Sequence, residues 1–216
     1  MNNINKLFLT SALVACSFSV ANAQISNKNF VGPSIEVGIQ SANPDIHSSE
    51  DETFNSTDTN ALGKVSFNIG VPATNRIVMD LGASYVAGKL SAGTGGYDTP
   101  YQLDQMYSLY VAPNLLLTDN TAIFAKISYN RANSTAVMYD GSIYKDVSKT
   151  ISGLGIGVGV TTYLTKDIYL KAEIERVNYG SDNKYSIKDY EDATITYDDS
   201  YGAKLYNASI SIGAKF

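Results

Sequence analysis

The chain contains 216 residues, with 17 glycines, 16 tyrosines and no tryptophan, and its length suits a single domain. The formal net charge of −5 argues against nucleic acid as a partner. The one cysteine, Cys16, lies in an N-terminal segment that we expect to be removed, so the mature protein should contain no disulfide.

The first residues have the layout of a cleaved secretory signal. Residues 1–6 are polar with one positive charge, residues 7–20 are mostly apolar, and Ala21-Asn22-Ala23 has the small-x-small pattern that signal peptidase prefers. The apolar stretch is shorter than the roughly 18 residues of a transmembrane helix. We therefore predict a signal peptide over residues 1–23 and one domain over residues 24–216. Cleavage before a lipidated Cys16 is the alternative.

Short and long polar segments alternate along the rest of the chain. Short turn signals lie at residues 72–75, 118–120 and 165–167, and long polar segments lie near 41–60, 89–101, 132–148 and 180–200. In outer-membrane β-barrels the periplasmic turns are short and the extracellular loops are long. Four long loops and three short turns require eight strands, although the first and fourth loops are long enough to allow ten.

Eight segments alternate apolar residues with polar or small ones, which is the period of a β-strand. Between residues 152 and 164, for example, Leu154, Ile156 and Val158 alternate with glycines, which leave room for larger side chains in a narrow lumen. The other face of the segments is mostly Gly, Ser, Asn and Thr, which suits a confined lumen better than the water-exposed face of a soluble β-sandwich. Alternation alone leaves open a lipocalin-like barrel, which is apolar inside and polar outside.

The aromatic residues favour a barrel that crosses a membrane. If the short turns are periplasmic, four tyrosines fall on the apolar face near its outer end, and one phenylalanine falls at its inner end. Rings at two levels are expected where a barrel passes through the two headgroup regions. We therefore predict an all-β, eight-stranded, antiparallel, up-and-down transmembrane β-barrel. Its aromatic girdle consists of Tyr85, Tyr107, Tyr129, Tyr206 and Phe216.

Charged residues also fall on the predicted inward face. Buried charges are costly unless they are paired, so we predict an internal network of salt bridges and hydrogen bonds. Such a network fills the lumen, because eight strands enclose side chains rather than a wide water channel. We expect no general porin activity, with a narrow or gated pore as the alternative. The predicted lumen network consists of Glu36, Lys64, Asp80, Lys126, Lys171, Glu173 and Glu175.

With these features the chain resembles the small outer-membrane β-barrel family that includes the OmpX/Ail, opacity-type and OmpA transmembrane domains, over roughly residues 29–216. The resemblance is most specific in the last strand, where apolar residues alternate up to the terminal Phe216. A strand of this kind implies recognition by the barrel assembly machinery and a location in the outer membrane of a Gram-negative bacterium. Ala208 and Ala214 depart from the family, in which bulkier residues are common at these positions.

His47 is the one histidine and lies in the first predicted loop. Some barrels that this chain resembles in architecture modify lipid A by acyl transfer, and they use a histidine with a serine and an acidic residue. Ser48, Ser49, Glu50 and Asp51 follow His47, but neighbours in a flexible loop do not orient a base. We expect no catalytic site, cofactor or metal, with lipid A modification as the alternative.

The first and fourth predicted loops are rich in acidic residues. A hydrated surface is the simplest interpretation, and divalent-cation binding or docking to a basic partner is the functional alternative. None of the acidic runs has the spacing of a dedicated calcium loop. The acidic residues are Asp45, Glu50, Asp51, Glu52 and Asp58 in the first loop and Asp189, Glu191, Asp192, Asp198 and Asp199 in the fourth.

Arg131 and Arg176 are predicted near the outer strand ends, on the lipid-facing side. Because there are only two such arginines and they form no cluster, we expect their side chains to extend into the headgroup region. Specific contacts with the phosphates of lipopolysaccharide are the alternative. We expect a non-enzymatic structural or surface-interaction protein, whose four extracellular loops meet lipopolysaccharide, host surfaces or envelope proteins.

Overall fold

The computed structural model describes residues 26–47, 53–55, 60–92, 101–139, 144–188 and 194–216. The predicted signal peptide therefore lies outside the described residues. None of the described segments contains a helix long and apolar enough to cross a membrane. The described strands are β1 (Gly32–His47), β2 (Thr53–Asn55), β3 (Asn60–Pro72), β4 (Ile77–Ala92), β5 (Tyr101–Leu116), β6 (Thr121–Tyr139), β7 (Tyr144–Tyr163), β8 (Ile168–Lys188) and β9 (Thr194–Lys215).

Eight of these strands form a closed antiparallel barrel. Each pairs with its neighbour in chain order, and β1 pairs with β9 to close the sheet. The short β2 pairs with β1 at its outer end, where Phe54 lies opposite Ile46. The prediction of an eight-stranded barrel is confirmed, and in the described part of the chain β2 extends a hairpin rather than adding a wall strand.

The strands are strongly tilted. Starting from Ile35 and following paired residues once round the barrel leads back to β1 at Asp45, a stagger of ten residues. A closed sheet needs such a stagger, and it corresponds to a strand tilt of about 35–45°. The tilt brings residues that are distant in sequence to the same height in the lumen.

Each short turn is built around a threonine. The backbone amides of Arg76 and Ile77 donate to Oγ1 of Thr74 at 3.2 and 3.0 Å. The same pattern recurs at Thr118 and Thr165, with distances between 3.0 and 3.3 Å. A threonine hydroxyl that accepts these amides satisfies donors that the strand ladder leaves unpaired. The three short turns predicted from the sequence are confirmed.

The strands extend further than the alternation predicted. β1 ends at His47, β6 at Tyr139 and β8 at Lys188. Much of the predicted loops 41–60, 132–148 and 180–200 is therefore paired strand, and the predicted loop boundaries were wrong. Turn-forming residues are common in these segments because the outward face of a strand beyond the membrane meets water and is polar.

The two faces of the sheet exchange polarity near the outer end of the barrel. On β6, the outward Ile127 is 66% exposed and the inward Lys126 is 2% exposed, whereas further out the apolar Ala132 faces inward at 1% and the polar Asn133 faces outward. The same exchange occurs on β8, where Val177 is buried. An extension into water needs a polar surface and an apolar core. The prediction of a polar lumen was therefore wrong above this level.

Two adjacent register shifts occur close to the exchange. Val86 pairs with Met106, but the next paired residues are Lys89 and Asp104. Gly88 has a φ of 119° and Gln105 a φ of 48°, and such positive values are typical of bulges. As a result Met106 faces inward together with Leu103, although strict alternation would place these two residues on opposite faces.

Candidate functional site: the barrel interior and its outer rim

The middle of the lumen holds a buried charge network. Lys126 Nζ lies 2.8 Å from Glu173 Oε1 and 3.1 Å from Glu175 Oε2. Lys64 Nζ lies 3.1 Å from the same oxygen of Glu173. These residues are at most 7% exposed, and each charge is compensated by a neighbour within hydrogen-bond distance, as buried charges require. The structure thus brings four predicted network residues into one connected group.

A second ion pair lies closer to the short turns. Lys171 Nζ donates to Glu36 Oε1 at 3.1 Å, and the hydroxyl of Tyr169 donates to the same oxygen at 3.0 Å. Asn68 adds a third donor at 2.9 Å. Asp80 faces the lumen at the same end, and among the described residues it forms no ion pair. Six of the seven predicted network residues are therefore paired.

Glycines on neighbouring strands make room for the larger lumen side chains. A Cβ at Gly82 would overlap the ring of Tyr110, and a Cβ at Gly159 would overlap the ring of Phe124. At Gly155 a Cβ would meet Ser128 Oγ and the Oε1 atom of Glu175. The predicted glycine face of β7 is confirmed at these positions, because the lumen is too narrow for a second side chain at the same height.

The N-terminal segment lies across the mouth of the barrel at the short turns. The amide of Ser26 donates to Asp119 Oδ1 at 2.7 Å, and the side-chain amide of Asn27 donates to the carbonyl of Thr74 at 3.1 Å. Asn29 Nδ2 donates to the backbone carbonyl of Asp119 at 3.0 Å. The segment is thereby attached to the first and second short turns, an arrangement for which the sequence offered no recognisable pattern.

Phe30 closes this mouth from inside. Its ring is 7% exposed and lies 4.9 Å from Tyr163, which lies 4.9 Å from Tyr169. Gly70 allows the approach, because a Cβ there would overlap the carbonyl of Phe30. We call this group of aromatic residues at the short-turn mouth, Phe30, Tyr163 and Tyr169, the inner aromatic cap.

The outer part of the lumen is filled by apolar side chains. Between this layer and the charge network lies a cavity of about 20 Å³ bordered by Glu175 and Asn207, which is too small for an organic ligand. The interior described here is therefore filled at three levels. The apolar layer consists of Ala42, Leu62, Val86, Leu90, Leu103, Met106, Ala132, Ile151, Val177, Tyr179, Ala203 and Leu205.

The predicted aromatic girdle lies on the outside of the barrel. Tyr85 and Tyr107 are paired on adjacent strands, with ring centroids 5.1 Å apart. Phe216 is 71% exposed at the opposite end of the wall from Tyr206, which is 47% exposed. The ten steps along the chain from Tyr206 to Phe216 span about 25 Å along the barrel axis at about 3.3 Å per residue and a tilt of about 40°. This height equals that of the apolar band of outer-membrane barrels.

The sequence matches the family model described as outer membrane protein beta-barrel domain over residues 10–216. The chain belongs to this family. No curated protein matches this outer-membrane β-barrel protein in sequence. Membership supports an outer-membrane location, and the tight turns therefore face the periplasm, as in other outer-membrane barrels.

Solved structures with similar folds are outer-membrane proteins. OprG from Pseudomonas aeruginosa has a TM-score of 0.55 and 14% identity, with coverage of 90% of this chain and 99% of that one. Neisserial surface protein A has a TM-score of 0.47 and 14% identity over 86% and 99%. Ail of Yersinia pestis, in complex with the heparin analogue sucrose octasulfate, has a TM-score of 0.46 and 10% identity over 86% and 100%. At these identities the likeness to OprG shows the fold and not the function.

The other predicted features of this outer-membrane β-barrel protein lie at its outer end. His47 is the last residue of β1, where its backbone pairs with Gly202 and Thr53. Ser48, Ser49, Glu50 and Asp51, and most of the acidic residues of the predicted loops, lie outside the described residues. No group of three or more potential metal ligands occurs in the described segments.

Proposed function

We propose that this outer-membrane β-barrel protein is a non-enzymatic scaffold that presents its outer hairpins for interaction at the cell surface. The observation that supports the proposal is the filled interior. The inner aromatic cap, the lumen network and the outer apolar layer occupy successive levels of the described lumen. A filled barrel offers neither a wide aqueous path nor a cleft for a substrate.

The long extensions of the strands support the same proposal. β8 and β9 have 21 and 22 residues, whereas roughly 9–11 tilted residues suffice to cross the membrane. The remaining length places a hairpin of paired strands beyond the outer headgroups. Functional contacts usually lie on such projecting segments, which a rigid scaffold positions.

Conductance measurements test the filled interior. Refolded protein in planar bilayers is expected to show no large, steady single-channel conductance. A variant that lacks residues 24–31 removes the periplasmic segment with Phe30, and it is expected to stay non-conducting because the network and the apolar layer remain. Steady ion flow through the wild-type protein would contradict the proposal and favour a pore.

A second measurement tests the surface role. Cells that display the wild-type protein are compared with cells in which residues 181–201 are replaced by an Asn-Gly turn, on immobilised laminin, fibronectin and heparin. Heat-modifiable mobility in gels checks that the shortened barrel folds. We expect the wild-type cells to be retained on at least one surface and the shortened variant to lose this retention. Equal retention of both strains on every surface would refute a role for this hairpin.

A further inference from the structure

Two arginines flank β7 at the outer boundary of the apolar band. Arg131 on β6 lies opposite Ser152 of β7, and Arg176 lies on β8 opposite Ile156 of β7. From the strand spacing and the rise per residue, the two Cα atoms are about 15 Å apart. Because of the tilt they lie at similar heights. Arg131 lies opposite the girdle residue Tyr107, and Arg176 lies opposite the girdle residue Tyr206.

Both guanidinium groups face outward, and Arg176 is held in place by an aromatic ring. Arg176 Cζ lies 5.6 Å from the centroid of Tyr206, a cation–π arrangement that keeps the cation at the lipid–water boundary. Within the part of the chain that the structure describes, neither guanidinium donates a hydrogen bond to another residue. Their planar donor groups therefore remain available for phosphate oxygens.

The wall next to the arginines is apolar and strongly exposed. Leu154 and Ile156 on β7 are 66% and 64% exposed, and they are flanked by Ile127 on β6 at 66% and by Ile174 on β8 at 57%. A lipid whose acyl chains lie against these four residues would have its headgroup at the level of the two arginines. The face thus combines the apolar and cationic contacts that a phosphorylated lipid requires.

Other cations at this level have acidic neighbours in the sheet register. Lys89 lies opposite Asp104, and Lys204 lies opposite Asp45. In residues 121–135 of β6, 148–163 of β7 and 168–180 of β8, the outward-facing residues include no aspartate or glutamate. Asp104 on β5 is the nearest described acid to Arg131, and it pairs with Asn133. Positive charge is therefore concentrated on either side of β7.

We propose that the face formed by β6, β7 and β8 is a binding site for the phosphorylated lipid A part of lipopolysaccharide. Arg131 and Arg176 bind its phosphates on either side of β7, and its acyl chains lie against Leu154 and Ile156. This site goes beyond the proposed function, since it uses the membrane-facing wall and not the outer hairpins. Lipid A is the occupant that fits because it carries phosphates on a multiply acylated headgroup in the outer leaflet.

The site is tested by lipid binding to the refolded mature chain in detergent, followed by native mass spectrometry. The probes are bisphosphorylated lipid A, the same lipid without phosphates, and phosphatidylglycerol. The double variant Arg131→Gln/Arg176→Gln removes both cations from the proposed site. The matched control is Lys89→Gln, an exposed cation of the same rim on the opposite side of the barrel. Heat-modifiable mobility verifies that all variants fold.

We expect the double variant to bind bisphosphorylated lipid A at least about tenfold more weakly than the wild type, a difference of about 1.4 kcal/mol, and Lys89→Gln to change binding less than twofold. Dephosphorylated lipid A and phosphatidylglycerol should bind the wild type as weakly as the double variant binds lipid A. Unchanged lipid A binding by the double variant would reduce the arginines to general headgroup contacts and overturn the proposal. Equal binding of phosphatidylglycerol and lipid A would overturn it as well. Both results are independent of hairpin adhesion.

Discussion

Replacing Lys126 with methionine removes the central cation of the lumen network. Lys126 Nζ contacts Glu173 at 2.8 Å and Glu175 at 3.1 Å, and it lies 4.7 Å from the centroid of the Tyr110 ring. Methionine retains most of the side-chain volume, so charge is the main variable. After the substitution Glu173 still contacts Lys64, whereas Glu175 keeps the Ser128 hydroxyl as a donor.

The expected loss of stability follows from the carboxylate that remains. Removing one partner of a buried ion pair costs about 3–5 kcal/mol, because the other charge stays buried without compensation. Lys64 partly compensates Glu173, so we expect a decrease of about 3 kcal/mol in the free energy of unfolding. With a urea m value of about 2 kcal/mol per molar, this decrease lowers the unfolding midpoint by about 1.5 M.

The assay is urea unfolding of protein refolded into phospholipid vesicles, followed by far-ultraviolet circular dichroism and by gel mobility without boiling. The chain has no tryptophan, so tryptophan fluorescence cannot serve. The control Lys89→Met removes an exposed lysine and should stay within about 0.5 kcal/mol of the wild type.

The double variant Lys126→Met/Glu175→Gln tests the physical reason. It removes the uncompensated carboxylate, and it should therefore be more stable than Lys126→Met alone by roughly 1–2 kcal/mol, within the usual range of coupling between contacting residues. A Lys126→Met variant as stable as the Lys89→Met control would refute the reasoning. So would a double variant whose loss equals the sum of the two single losses.

Three further substitutions have distinct expected outcomes. Gly155→Ala should destabilise the barrel by about 1–3 kcal/mol through overpacking, since its Cβ would meet Glu175. The control Gly63→Ala should be nearly neutral, because a Cβ there would meet nothing within 4 Å. Equal urea midpoints for the two variants would contradict this prediction. Thr118→Val should lower the free energy of unfolding by about 1 kcal/mol, because it leaves two backbone amides without their acceptor. Thr118→Ser should keep the urea midpoint of the wild type. A serine variant as unstable as the valine variant would exclude the hydroxyl as the cause. We propose that the assembly machinery recognises the exposed ring of Phe216, so Phe216→Ala should reduce the amount of protein in outer-membrane fractions severalfold while the refolded barrel keeps its heat-modifiable mobility. Unchanged amounts would count against this role.

The membrane-facing wall and the short turns could be predicted from the sequence alone. A strand places successive side chains on opposite faces, so the period of two in β6 to β9 separates an apolar face from a polar one. The two levels of aromatic residues then assign the apolar face to lipid. Thr74, Thr118 and Thr165 act through amides two and three residues away. Both signals depend on residues that are close in sequence, so a single sequence is enough to detect them.

The outer extensions were misread because the same alternation carries the opposite meaning outside the membrane. Turn-forming residues near Asn133 and Asn178 are outward residues of strands that meet water, and the apolar residues between them face the lumen. Bulges at Gly88 and Gln105 also shift the alternation, so that Leu103 faces inward. A pattern of two residue classes does not state which solvent each face meets.

The pairing of charges was decided by the tertiary structure. The sequence identified the lysines and carboxylates of the lumen, but Lys64 meets Glu173 across 109 positions and Lys171 meets Glu36 across 135. The stagger of the closed sheet sets these heights, and closure depends on all eight strands together. Phe30 could not be assigned for the same reason, since its partners Tyr163 and Tyr169 come together at the periplasmic mouth when the ring of strands closes.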